Sequence, residues 1–237
     1  MELTGSTPYA SRVHPPLPFN ARAARTLREK LGMAPDHVAY GMRASFGMVH
    51  ITPDHVIAWE RGTHLPSPTE LTALAGALWC NPGELMGRPR TLREHRIARG
   101  VPAEDVARAT GLRLDAYTHM EETDGWAGDK QQSAKLGRLL NLPPRDFIAV
   151  TGLEDELAHL LGEAVSTRWQ AHIRPIARLI SMERRDLQDT LRAMHHEYQE
   201  LLAVTLSRAG SASAFGEDGR RYLDDIVDRF WSRLPEN

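Results

Sequence analysis

The residues whose types and spacing suggest a defined chemistry lie in one segment, Thr52-Pro-Asp-His-Val-Ile-Ala-Trp-Glu-Arg61. At helical spacing, Asp54, His55 and Ala58 lie away from the apolar positions and near the beginning of the segment. This places a short polar face at the N-terminal end of a helix. Such a face suits binding to another molecule instead of catalysis, and a helix of this kind fits the major groove of DNA.

The same segment contains the signals that begin and end a short helix. Thr52 suits the N-cap, and Pro53 suits the first helical position. Val56 and Trp59 are three positions apart, so both point to one side, toward a core. Gly62 ends the helix. The sequence therefore predicts a helix with one buried face and one polar face.

The histidines raise the alternative of an enzyme or a metal site. Of 11 histidines, His196 shares a predicted helix face with Glu200 at positions i and i+4, as metal ligands can. No third ligand follows at a convincing spacing, and a solvated helix face accounts for the pair. The sequence also lacks a His-Glu-x-x-His motif, a phosphate loop, a Rossmann glycine pattern and a nucleophile elbow. We therefore expect no enzyme, no catalytic or metal-binding residue and no cofactor.

The composition is that of a globular chain that can bury a core, because 41% of its 237 residues are hydrophobic. The single cysteine, Cys80, excludes an intrachain disulfide and suits a buried position. No apolar run approaches the roughly 18 residues that cross a bilayer, and the N-terminus lacks a signal sequence. These features predict a cytoplasmic protein with no membrane partner.

The charge distribution permits nucleic-acid binding without arguing for it. The formal net charge is −2. Residues 1–90 carry nine Lys or Arg against seven Asp or Glu, whereas residues 153–237 carry 11 against 15. The N-terminal part is thus the least acidic, and phosphate would repel the C-terminal part.

The chain is patterned as helices almost throughout, with an internal repeat. Frequent Gly and Pro cut the first 90 residues into about five short helices. The motif Thr26-Leu-Arg-Glu-Lys30 begins one such unit, and Thr91-Leu-Arg-Glu-His95 begins another 65 residues later. The units end alike, at 78–85 and 140–147. This indicates two tandem copies of one five-helix unit.

Four parts of the chain resemble the helix-turn-helix regulators of the Cro/C1 repressor type, the XRE family, which would make this a bacterial protein. They are Leu27-Arg28, Ala34–Ala39, Ile51–Gly62 and Leu71–Leu85. The Trp-Glu-Arg-Gly ending and the Leu-x-x-Leu-Ala-x-x-Leu stripe from Leu71 carry most of the resemblance. It covers residues 22–87.

The resemblance implies a five-helix domain whose third helix reads DNA. The groove-facing positions that it implies are Pro53, Asp54, His55 and Ala58, and we count the N-cap Thr52 as a DNA-binding residue beside them. It also implies that Arg61 contacts a phosphate, and that Trp59 and Glu60 are mainly structural.

The connection between the second and third helices departs from the family, because Gly41 to His50 is about seven residues too long. The extra stretch either lengthens the second helix or forms a loop along the DNA backbone. In that position Arg43 and His50 become candidate phosphate contacts. The alternative is that Phe46 and Met48 in this stretch fill the core.

The second unit, residues 91–152, resembles the same family more faintly and has no insertion. Its third helix would bury Tyr117 and Met120, and the positions that it would expose are Arg113, Leu114, Asp115, Thr118 and His119. Phosphate would repel Asp115. Arg113 could bind a guanine edge or a phosphate. The alternative is a degenerate copy that serves as a scaffold or a dimer surface.

The residues after Gly152 predict longer helices, with a loop at 210–219 and a last amphipathic helix at 220–234. A helical module of this kind suits dimerisation or sensing. Helix-turn-helix proteins usually bind DNA as dimers whose half-sites lie about 34 Å apart, and a small-molecule effector between the helices is compatible with the pattern.

The predicted fold is therefore all-α, with two five-helix lambda-repressor-like helix-turn-helix domains and a C-terminal helical domain. The predicted boundaries are a flexible N-terminal arm at 1–20, the two domains at 21–88 and 89–152, and the C-terminal domain at 153–237. We expect a sequence-specific transcriptional regulator that binds double-stranded DNA as a homodimer, associated with the nucleoid when bound. The alternative is a module that engages a protein such as a sigma factor.

Overall fold

The computed structural model of the chain describes residues 16–180, 182–207 and 212–234. These residues are all-α, as predicted, with 14 α-helices, one 3-10 turn and a single isolated bridge between Phe19 and Met86. Contacts divide the chain into two compact units, residues 1–140 and 141–237. Most of the predicted N-terminal arm lies outside the described residues.

The first unit contains eight of the described helices and the 3-10 turn. Proline occupies an early helical position in three of them, where its fixed φ suits the first turn. The elements are α1 (Ala21–Lys30), α2 (Pro35–Phe46), α3 (Pro53–Glu60), α4 (Pro68–Ala77), the 3-10 turn (Pro82–Leu85), α5 (Leu92–Ala98), α6 (Ala103–Thr110), α7 (Leu114–Thr123) and α8 (Lys130–Leu140).

This unit has two halves, α1 to the 3-10 turn and α5 to α8. The core of the first half forms where α2 contacts both α3 and α4. Its buried residues include the predicted stripe of α4, namely Leu71, Leu74, Ala75 and Leu78. Ile97 of α5 is 5% exposed and packs into the same core. The backbone is tight here, because a Cβ on Gly83 would lie 2.9 Å from the carbonyl oxygen of Ala98. Close packing of α5 on the 3-10 turn thus joins the two halves.

The two halves repeat the same backbone turn between their first and second helices. Gly32 and Gly100 both have φ of 66°. Each is followed by a residue whose N–H donates to the carbonyl five positions earlier, Met33 to Arg28 and Val101 to Arg96. Equivalent residues therefore lie 68 positions apart. The 65-residue register taken from the two Thr-Leu-Arg-Glu motifs is wrong, because Thr91 caps α5 whereas Thr26 lies inside α1.

The extra residues of the first half are divided between a helix and a loop. Helix α2 has 12 residues and α6 has eight. Both helices end on a left-handed glycine, Gly47 or Gly111. The next N-cap, Thr52, follows Gly47 by five positions, whereas Arg113 follows Gly111 by two. Four of the seven extra residues thus lengthen α2, and three lengthen the loop.

The second unit contains six of the described helices: α9 (Pro144–Thr151), α10 (Glu154–Ser166), α11 (Trp169–Leu179), α12 (Arg184–Ser207), α13 (Ala212–Asp224) and α14 (Ile226–Ser232). Its core includes Ile148 of α9, Leu161 of α10 and Leu191 of α12, all fully buried. Helix α9 therefore belongs with the C-terminal helices, although its sequence was assigned to the second repeat.

The predicted loop at 210–219 is wrong from Ala212 onward, because α13 begins there. The predicted last helix is also divided, and α14 follows after Asp225. Gly219 is buried, and a Cβ there would lie 3.8 Å from side-chain atoms of Leu202 and Tyr198. Packing against α12 thus outweighs the low helix propensity of the glycines in this segment.

Trp59 and Trp79 offer a matched test of the core of the first unit, since they are 3% and 88% exposed. We expect Trp59→Ala to lower the free energy of unfolding by about 3–5 kcal/mol, because it removes a large buried side chain. Trp79→Ala should change it by less than about 0.5 kcal/mol. Denaturant unfolding measures both, and equal effects of the two substitutions would contradict this core.

Candidate nucleic-acid interface

Helix α3 lies with one face against α1 and α2. Val56 and Trp59 form that face and are 1% and 3% exposed, as the sequence predicts. Asp54 and His55 are exposed on the opposite side, near the N-terminal end, and Ala58 is half-buried. The described helix therefore has the buried and polar faces that its sequence predicts.

The remaining predicted positions of this segment lie at the two ends of α3. Thr52 is the exposed N-cap, and Pro53 is half-buried at the first helical position. Arg61 is the exposed C-cap. Its guanidinium forms no hydrogen bond or ion pair with the described residues and is free to meet an anion.

A nearly buried ion pair fixes the C-terminal end of α3. The Nε and Nη2 atoms of Arg28 donate to the two carboxylate oxygens of Glu60 at 2.6 and 2.8 Å, and its Nη1 donates to the carbonyl of Met33 at 2.7 Å. The two side chains are 11% and 9% exposed. The hydrogen bond to Glu60 raises the pKa of Arg28, although burial opposes this. One guanidinium thus connects α1, the turn after it and α3.

The second half repeats this arrangement. The Nε and Nη2 atoms of Arg96 donate to the carboxylate of Glu121 at 2.5 and 2.8 Å, and Nη1 donates to the carbonyl of Val101 at 3.1 Å. Tyr117 donates its hydroxyl to Glu121 at 2.6 Å. Burial, followed by the charge of Glu121, raises the pKa of Tyr117 above its ordinary range. Sequence inspection missed both pairs because their members lie 32 and 25 positions apart.

Hydrogen bonding fixes the tautomer of His55. The backbone N–H of Thr52 donates to Nδ1 of His55 at 3.2 Å, and the Thr52 hydroxyl lies 2.8 Å from the same nitrogen. Because a backbone N–H is always a donor, Nδ1 carries no proton and the neutral ring carries its proton on Nε2. Nε2 has no partner among the described residues. His55 therefore presents a hydrogen-bond donor to solvent.

Helix α2 begins with the same four residues as α3, Pro-Asp-His-Val. At its N-terminus, the N–H of Ala34 donates to Nδ1 of His37 at 3.2 Å. This repeated sequence was the available signal for histidine caps at both helices, and sequence reasoning did not use it. His37 is exposed like His55.

Both predicted phosphate contacts of the extra stretch already have intramolecular partners. Arg43 donates from Nη1 to the carbonyl of Ile51 at 2.6 Å. His50 lies with Nε2 2.9 Å from one carboxylate oxygen of Glu70, and the other carboxylate oxygen accepts from the N–H of Ser67. Burial acts to raise the pKa of Glu70, but the hydrogen bonds from His50 and Ser67 outweigh it and lower the pKa. These residues hold the loop before α3 in place.

The residues predicted for the second unit lie on α7 and at its N-cap. Arg113 pairs with Asp115, whose carboxylate accepts from Nε and Nη2 at 3.0 and 2.9 Å. Thr118 donates its hydroxyl to the carbonyl of Leu114, and His119 is exposed. Tyr117 is fully buried, as predicted. An acid therefore partly neutralises the cation that this helix would present to phosphate.

Metal binding, membrane insertion and thiol chemistry each require a particular arrangement of residues. Across 16–180, 182–207 and 212–234, no group of three or more His, Cys, Asp or Glu is arranged to hold a metal ion. Over those ranges, no helix has the length and apolar character to span a bilayer. Cys80 is half-buried, and burial raises the pKa of its thiol to about 11.

Comparisons with known proteins identify no relative. No protein-family model matches the chain, and no curated protein or solved structure is significantly similar to it.

The Arg28–Glu60 pair can be tested against the exposed pair of Arg108 and Asp105. We expect Glu60→Ala to lower the free energy of unfolding by about 3–5 kcal/mol, because it removes both carboxylate hydrogen bonds of the nearly buried Arg28 guanidinium. Asp105→Ala should leave the melting temperature almost unchanged. Similar melting shifts in the two variants would show that Glu60 does not hold α3.

Proposed function

We propose that this chain is a transcriptional regulator of the Cro/C1 type that binds a specific double-stranded DNA sequence. Two helix-turn-helix units provide the DNA-binding surface, the first in residues 21–88 and the second in α5 to α8, since α9 packs with the C-terminal helices. The observation that carries the proposal is helix α3, which buries Val56 and Trp59 and leaves Asp54 and His55 exposed at its N-terminal end. A helix held in this way can enter the major groove.

The polar face of α3 offers complementary groups for base edges. His55 presents Nε2–H, a donor that fits the acceptors O6 and N7 of guanine. Asp54 is an acceptor that fits the amino group of cytosine. We therefore infer that the operator contains a G·C pair opposite the start of α3.

Positioning on the DNA backbone comes from exposed cations around α3. Arg61 is exposed at the end of the helix and has no partner among the described residues. Arg22 is exposed at the beginning of α1. Arg43 and His50 already form hydrogen bonds within the protein. They would therefore assist phosphate binding indirectly, by holding the loop before α3 in place. Contacts to phosphate supply most of the affinity in such complexes.

The acidic C-terminal unit is assigned to dimerisation or to sensing an effector. Most of its apolar side chains are used in its own core, including Ile176, Leu187 and Met194, which are fully buried. A homodimer would place two α3 helices about one helical turn of DNA apart, roughly 34 Å. The protein would act in the cytoplasm, at the nucleoid when bound to its operator.

A second candidate function is protein binding, and exposed apolar side chains favour it. Trp79 is 88% exposed, Val49 82% and Tyr40 68%. The exposed positions of α3 also carry none of the Lys, Gln or Asn side chains that often read bases. In this alternative, the same units would engage a protein of the transcription machinery.

One experiment separates the two functions. Purified full-length protein is incubated with sheared genomic DNA at two salt concentrations, and the bound fragments are sequenced. DNA binding predicts a discrete motif whose enrichment falls steeply with salt, since bound counterions are released. No enrichment at either salt would overturn the proposal and favour protein binding.

His55 should determine the preference for a purine. We expect His55→Ala to lower the affinity for the selected operator about 5- to 150-fold, the cost of one lost base contact of about 1–3 kcal/mol. Replacing the contacted guanine by 7-deazaguanine, which lacks the N7 acceptor, should weaken the wild type and leave His55→Ala unaffected. The control is His64→Ala, which removes another exposed histidine. A 7-deazaguanine effect of equal size in both proteins would refute this contact.

Arg61 should contribute equally to the affinity for every DNA sequence, because a phosphate contact does not depend on the base. We expect Arg61→Ala to reduce the slope of log K against log salt by about 1, the contribution of one phosphate contact. Arg178→Ala removes the same charge from an exposed position of α11 in the other unit, and should leave the slope unchanged. Binding titrations at four salt concentrations measure this, and equal slopes for wild type and Arg61→Ala would exclude the contact.

A further inference from the structure

A cleft lies inside the first unit, between helix α4 and the connection from α5 to α6. Its volume is about 350 Å³, within the range of roughly 300–1,000 Å³ that small-molecule sites occupy. One wall comes from Pro68, Thr69, Thr72 and Ala73 of α4. The facing wall includes Ile97 and the turn Gly100–Pro102.

The last residue of α2, Phe46, and the loop residue Met48 also line the cleft. A Cβ on Gly76 would lie only 2.2 Å from Cζ of Phe46, so the missing side chain there makes room for the ring. Phe46 therefore lies on α4 instead of extending into solvent. It remains 41% exposed, however, and so is not a filled core position.

The lining is mostly apolar, with two threonines and one available cation. Arg96 also lines the cleft, but Glu121 and the carbonyl of Val101 engage its guanidinium. Arg93, one turn earlier on α5, lines the cleft as well and is half-buried. It has no hydrogen bond or ion pair with the residues that the structure describes. An unpaired guanidinium beside apolar walls is complementary to a carboxylate that carries a hydrophobic group.

We propose that this cleft binds a small amphipathic carboxylate, with its apolar part between Phe46, Met48 and Ile97 and its carboxylate on Arg93. The size of the cleft suits a chain of about eight carbons or a single aromatic ring. Arg93 is the residue that selects the anion, because the other arginine of the lining, Arg96, is already engaged by Glu121 and Val101. The site also contacts the segment that leads into α3.

The test is calorimetric titration of the full-length protein with octanoate below its micelle concentration, without DNA. We expect saturable binding of one octanoate per chain. Octanamide has the same shape without the charge and should bind at least tenfold more weakly. Because no DNA is present, the result is independent of whether the chain is a transcriptional regulator.

Three variants assign the binding to the cleft. Arg93→Gln should weaken octanoate binding at least tenfold, whereas Arg99→Gln, which removes an exposed arginine outside the lining, should not change it. Thr72→Trp places a large side chain in the cleft from an exposed position and should abolish binding. Circular dichroism and melting curves confirm that each variant is folded. The proposal would be overturned if the wild type did not bind octanoate, or if it bound octanamide equally well. It would also be overturned if Arg93→Gln and Thr72→Trp bound octanoate as tightly as the wild type.

Discussion

The arrangement of the first unit depends on a guanidinium that is removed from water and must find all its partners inside the protein. Arg28 satisfies this requirement with two bonds to Glu60 and one to the carbonyl of Met33. Because a buried charge without a partner is very unfavourable, these bonds fix α1, the turn that follows it and the end of α3 together. Arg96 and Glu121 impose the same constraint in the second half. The orientation of α3 and α7 therefore does not depend on apolar packing alone.

A helix held at one face and one end can present its other face without rearranging. Val56 and Trp59 fix the orientation of α3 about its axis, and the cap between Thr52 and His55 orders its first turn. That cap also decides which nitrogen of His55 carries the proton. A single local hydrogen bond thus stabilises the helix and sets the donor that the side chain offers to a ligand. This coupling is why the proposed contact is specific for an acceptor.

The seven extra residues show how an insertion can be accommodated without loss of the surrounding packing. Four of them continue α2, and the rest form a loop that Arg43 and His50 hold through Ile51 and Glu70. The insertion also carries Phe46 onto α4, where Gly76 leaves room for its ring. Phe46 and Met48 thereby add apolar groups to the cleft between α4 and the connection from α5 to α6. The proposed carboxylate site is a consequence of that addition.

The sequence by itself determined the all-α class and the limits of α3, because caps, prolines and apolar spacing act within a few residues. It also determined that Val56, Trp59 and Tyr117 are buried. Tertiary structure decided the register of the repeat, since a shared Thr-Leu-Arg-Glu motif lies at a cap in one half and inside a helix in the other. It likewise decided the two arginine–glutamate pairs, the placement of α9 with the C-terminal helices and the helix at Ala212–Asp224. Each of these depends on contacts between distant segments, and no local pattern specifies which segments will meet.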